Sequence, residues 1–87
     1  MLVHGIAEFL GTALLIGTIA MTSNTLIIIG TFALAVFLTG PISGGHLNPA
    51  VTLWAFMSGK IAYGRAVEHV VAQILAALAV YFVKSRM

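Results

Sequence analysis

The chain has 87 residues, of which 61% are hydrophobic and 7% charged, with four Lys or Arg against two Asp or Glu. An average soluble domain carries roughly 25% charged residues, so this composition excludes a soluble enzyme, a nucleic-acid binder and a secreted mini-protein. A formal charge of +2 is also too small for a polybasic surface patch. Residues 9–59 contain no Asp, Glu, Lys or Arg, and a bilayer-crossing helix needs about 20 apolar residues. The expectation is an integral, multi-pass, all-α membrane protein in contact with lipid. With no cysteine there is no disulfide framework or thiolate metal site, and no Lys or Arg opens the first segment as a secretory leader requires.

In chain order, the first apolar stretch covers about residues 3–22 and ends at the polar run Thr22, Ser23, Asn24 and Thr25. Ala7 with Gly11 and Ala13 with Gly17 are each spaced four apart, the small-residue pattern that lets membrane helices approach closely. The second stretch covers about 26–40, because Pro41 biases the residue before it away from helix. Residues 41–59 form a different kind of segment. Pro41 and the pair Gly44–Gly45 predict irregular backbone, and Asn48–Pro49 predicts a helix start, Asn as N-cap and Pro at the first helical position. That helix closes near Gly59. At 1.5 Å per residue it spans only about 16 Å, half of a hydrocarbon core about 30 Å thick. Non-helical backbone at that depth must be buried in protein or line a wet cavity, so 41–59 reads as a re-entrant loop and half-helix. The competing reading is an aqueous loop with an interfacial helix resting on Leu53, Trp54, Phe56 and Met57. The third long stretch covers about 64–83, ahead of Lys84 and Arg86.

Asn48 is the sharpest candidate. As N-cap its oxygen accepts from the N–H of Ala50 or Val51, which turns its NH2 outward as a donor beside the positive end of the helix dipole. A donor in that position suits water and alcohol oxygens and opposes protons and metal cations; the bland reading is an ordinary cap. Gly44, Gly45 and His46 offer a row of backbone carbonyls leading to it, or simply a tight turn. Glu8, an ionisable residue inside an apolar stretch, is expected to accept backbone N–H groups of the loop, and Gln73 offers a donor and an acceptor for the same task or for helix–helix contact. His69, beside Glu68 and near Arg65, reads as interfacial. A catalytic reading would gather His4, Glu8 and His46 around a metal, or pair Ser43 with His46. It lacks acids for the first and an orienting Asp for the second.

The segments Ala7-Glu8-Phe9-Leu10-Gly11-Thr12 and Ser43-Gly44-Gly45-His46-Leu47-Asn48-Pro49-Ala50-Val51-Thr52, with Ala72-Gln73, resemble the first-helix signature, the first NPA loop and the third-helix support of the aquaporins and aquaglyceroporins, the major intrinsic protein family. The resemblance implies half of an aquaporin-like fold over residues 1–87: three transmembrane helices and one re-entrant half-helix. It also implies a non-enzymatic channel for water or glycerol-like neutral solutes, without cofactor or metal. Asn48, Pro49, Ala50, Gly44, Gly45 and His46 would line the pore, and Glu8 and Gln73 would support the loop. Counting back from Asn48 puts Ile28, or with a register shift at Gly30 Ile29, at the second-helix position of the family's filter. The family's second NPA motif and the Arg after it are not in this sequence; Val51 follows the motif here.

Two half-helices of about 16 Å placed end to end match the core thickness, so an antiparallel homodimer, or multiples of it, is the expected pore. Lys60 and Arg65 on one side against Lys84 and Arg86 on the other give the balanced flanks that insertion in both orientations requires. The alternative is a non-conducting subunit or fragment that pairs with a full-length channel.

Overall fold

The computed structural model describes residues 2–87, which form four α-helices: α1 (Leu2–Met21), α2 (Thr25–Ser43), α3 (Pro49–Met57) and α4 (Tyr63–Ser85). The helices α1, α2 and α4 are each long and apolar enough to cross a membrane. The molecule measures 39 Å along its longest axis, enough to span a hydrocarbon core of about 30 Å.

Helix α1 is the hub, packed against both α2 and α4. It lies parallel to α4: Gly5 faces Glu68 near the start of both helices, and the Lys84 Nζ donates to the Ala20 carbonyl near the end of both, at 3.1 Å. It lies antiparallel to α2, with Gly11 against Thr39 and Glu8 against Ser43. Apart from Leu47, the buried interior is small or polar. Ala7, Ala35, Ala55, Ala66, Ala72 and Ala76 are buried together with Glu8, Thr12, Thr39, Ser43, Thr52, His69 and Gln73, while Leu26, Phe37, Leu53 and Phe82 face outward. Lipid tails give large apolar side chains no reason to turn inward, so close packing of small residues and buried hydrogen bonds hold such a bundle together.

The two small-residue pairs of α1 have different fates. Ala7 and Gly11 are buried in the packed face, and a Cβ on Gly11 would lie 2.6 Å from Leu47 Cδ2 and 2.9 Å from Thr39 Cγ2. Gly17 meets nothing within 4 Å; with Ala13 it lines an open apolar groove alongside Ala79 and Val80. The close approach expected at Gly17 therefore does not occur among the described residues.

Asn24 starts α2 by accepting from the Ile27 N–H at 3.0 Å. The helix does not stop at residue 40 as expected but carries Pro41 inside it and runs to Ser43. Proline clashes mainly with the N–H and Cβ of the residue before it, and here that residue is Gly40, which has no Cβ. Gly44, with φ 93°, then ends the helix in a left-handed cap and donates its N–H to the Gly40 carbonyl.

Candidate functional site

After Ser43 the backbone turns back on itself. Gly45 adopts φ 64° and Leu47 φ 54°. A Cβ at Gly45 would press to 3.3 Å on Thr39 and Val36. For Leu47 the left-handed conformation costs about 1–2 kcal/mol. Two contacts offset it: the side chain is buried against Gly11, and the turn aims two successive N–H groups at one carboxylate.

That carboxylate is Glu8, fully buried in α1. The His46 N–H donates to Oε2 at 3.1 Å and the Leu47 N–H to Oε1 at 2.8 Å. The Ser43 hydroxyl donates to Oε2 at 2.6 Å and the Gln73 amide to Oε1 at 2.9 Å. Each oxygen thus accepts two hydrogen bonds, and hydrogen bonds to a charged group are worth about 1.5–3 kcal/mol each. An ionised carboxylate in an apolar bundle is tolerated because its acceptor sites are filled.

The network continues into α3. Gln73 also donates to Thr52 Oγ1 at 3.0 Å, and Thr52 is fully buried. The Thr52 hydroxyl oxygen also lies within hydrogen-bond distance of His46 Nδ1, at 2.9 Å.

These bonds set the depth of α3. Glu8 lies about 9 Å along α1 from its start at Leu2, and Gln73 about 15 Å along α4 from Tyr63. Through Leu47 and Thr52 the loop and one face of the first turn of α3 are therefore held part-way along α1 and α4, which argues against the interfacial-helix reading. Asn48 caps α3, its Oδ1 accepting from the Ala50 N–H at 2.7 Å, with Pro49 at the first helical position. Asn48, Pro49 and Ala50 are exposed at the tip, Gly44 is exposed and Gly45 and His46 are half-buried. At its other end α3 closes on Gly59, φ 77°, whose N–H donates to the Phe56 carbonyl while Lys60 donates to Ala55. Ile28 is half-buried and Ile29 exposed. Both lie in the first turns of α2, at the far end of that helix from the Ser43–Asn48 loop.

His69 departs most from its expected place. It is not interfacial but fully buried. Its Nε2 donates to the Ser43 carbonyl at 2.9 Å and lies 3.9 Å from Glu8 Oε2, and its ring centroid is 4.7 Å from that of His46. Its position four residues before Gln73, on the same face of α4, was the available signal. The catalytic grouping of His4, Glu8 and His46 is not assembled: the Glu8 oxygens are taken by N–H and O–H donors, His46 Nδ1 faces Thr52, and no cluster fit to hold a metal occurs among the described residues.

Three membrane-crossing helices around a polar core, with a half-helix ending inside it, define an integral multi-pass membrane protein with the form of half an aquaporin fold. Residues 1–86 match the family described as Major intrinsic protein, and the chain belongs to it. It is similar to the probable aquaporin PIP2-7 of Oryza sativa subsp. japonica, 51% identical over 49 residues, which are 56% of this chain and 17% of that protein. It is also similar to aquaporin-5 of Sus scrofa, 51% identical over 51 residues (59% and 18% of the two chains). Aquaporin PIP2-1 of Arabidopsis thaliana is 44% identical over 57 residues (64% and 20%). The matched segment thus spans no more than 20% of any of these relatives. No solved structure matches the chain.

Proposed function

We propose that this chain forms half of a channel for passive movement of water or small neutral solutes such as glycerol, and that an antiparallel copy completes the pore. The observation that carries the proposal is the tip of α3. Asn48 spends its oxygen on the Ala50 N–H, so its NH2 remains a donor on an exposed tip, at a helix start that carries about half a positive charge. A solute oxygen is a good partner for that donor; a proton or metal cation is repelled. The carbonyls of Gly44, Gly45 and His46 form the row of acceptors leading to Asn48, with Pro49 and Ala50 as the meeting surface between halves. Ile28 lines the narrow end, and Glu8 and Gln73 hold the loop. The relatives' names as aquaporins support water as the solute.

An antiparallel copy is supported by two features. The tip is exposed in the single chain, and Lys60 and Arg65 at one end balance Lys84 and Arg86 at the other. Inverted halves related by an axis in the membrane plane are a common way to build a path through the bilayer.

The test is osmotic flux in liposomes carrying the full chain. The wild type is expected to shrink vesicles faster than the protein-free control, and Asn48→Asp, which keeps the cap but replaces the donor with a charge, is expected to lose most of the added flux. Control-level flux in both would overturn the proposal. If that occurred with a single fixed orientation of the chain, it would favour a non-conducting subunit that pairs with a full-length channel.

A further inference from the structure

His69 takes no place in the row of donors and acceptors assigned above, yet it is among the largest fully buried side chains. Its Nδ1 is buried and has no hydrogen-bond partner among the described residues. An apolar side chain could fill the same space without that unpaired nitrogen, so the reason for histidine lies in what its other nitrogen does. Nε2 donates to the carbonyl of Ser43, the last residue of α2. Terminal helix carbonyls lack partners within their own helix, and this one immediately precedes the Gly44, Gly45 and His46 carbonyls. Unpaired, it would turn toward the nearest source of donors, the water beside the loop. The His69 ring also stands 4.7 Å behind the ring of His46, whose Nε2 lies over Gly44, 3.2 Å from where a Cβ would be. His46 is thus held by Thr52 at Nδ1 and backed by His69.

We propose that His69 is a positioning residue for solute selection: by drawing the Ser43 carbonyl into the bundle, it sets the width of the passage beside residues 44–46 and adds to the discrimination between water and glycerol made at the narrow end. The proposal rests on the conducting reading above. Glutamine can place an N–H donor near the position of Nε2, whereas phenylalanine keeps a ring and loses the donor.

The experiment compares wild type, His69→Gln and His69→Phe, each as the full chain in liposomes, and reads the ratio of glycerol to water permeability. A change in the number of folded pores leaves that ratio untouched, so loss of folding alone does not move it. His69→Phe is expected to raise the ratio about fivefold, the factor carried by one lost hydrogen bond, while His69→Gln stays at the wild-type value. If phenylalanine does not fit, His69→Met, unbranched and without a donor, takes its place with the same expectation. An unchanged ratio in the donor-less variant, or an equal shift in His69→Gln, would overturn the proposal. Amide hydrogen exchange in detergent gives a reading independent of flux: His46 and Leu47 should exchange faster in His69→Phe and at the wild-type rate in His69→Gln. A wild type that conducts nothing would refute the conducting reading. Unchanged exchange in His69→Phe would separately remove His69 from any role in placing the loop.

Discussion

Gly11 and Gly17 sit on one helix and make opposite demands on it. A methyl group at Gly11 would enter the space held by Leu47 and Thr39, whereas one at Gly17 would meet nothing. Overpacking of this kind costs about 1–3 kcal/mol. Gly11→Ala should therefore lower the thermal midpoint of the chain in detergent and loosen the loop through Leu47, while Gly17→Ala should be neutral or stabilising. Equal midpoints for the two variants would contradict the packing described here. At this scale the sequence was partly legible. Glu8 stood out because an ionisable residue in an apolar run needs partners, and its partners are indeed loop N–H groups. His69 was misread because its role depends on how far α2 extends. Only when α2 reaches Ser43 does an unpaired carbonyl fall within range of the ring.

At the scale of elements, α2 and α3 show where local rules held and where they gave way. The stop expected before Pro41 failed because Gly40 removes most of the clash that proline imposes on its predecessor. The start of α3 was legible from Asn48 and Pro49, since cap chemistry is local and little in the tertiary structure competes with it. The left-handed Leu47 was not: leucine gives no sign of positive φ, and only the buried Glu8 and the Gly11 recess make that conformation worthwhile. A short helix depends heavily on its ends. Asn48→Ala should cost about 0.5–2 kcal/mol, seen as a lower thermal midpoint, whereas Asn48→Asp should keep wild-type stability because Asp caps equally well. Together with the flux measurement, this pair separates Asn48 as a cap from Asn48 as a donor, and equal stability of the two variants would contradict the capping role.

For the whole molecule, α1 and α2 were legible because residues 9–59 carry no charge, and α4 because the run between Glu68 and Lys84 is apolar, which leaves lipid as the suitable surroundings. The arrangement of α1 parallel to α4 follows from the re-entrant segment between α2 and α4, which returns the chain to the side it came from. What the sequence did not reveal is how Glu8 and Gln73 are joined to α3 through Thr52, since hydrogen bonds between distant residues leave no periodic trace.

The central claim is that the tip of α3 meets a second such tip inside the bilayer. The chain has no cysteine, so Ala50→Cys provides a single thiol at that tip, and a disulfide forms only when two Cα atoms lie within about 7 Å. In liposomes under oxidising conditions Ala50→Cys is expected to give a disulfide-linked dimer, while Leu34→Cys on the outward face of α2 stays monomeric. An Ala50→Cys chain that remains monomeric and is labelled fully by a bulky, membrane-impermeant maleimide would contradict the account.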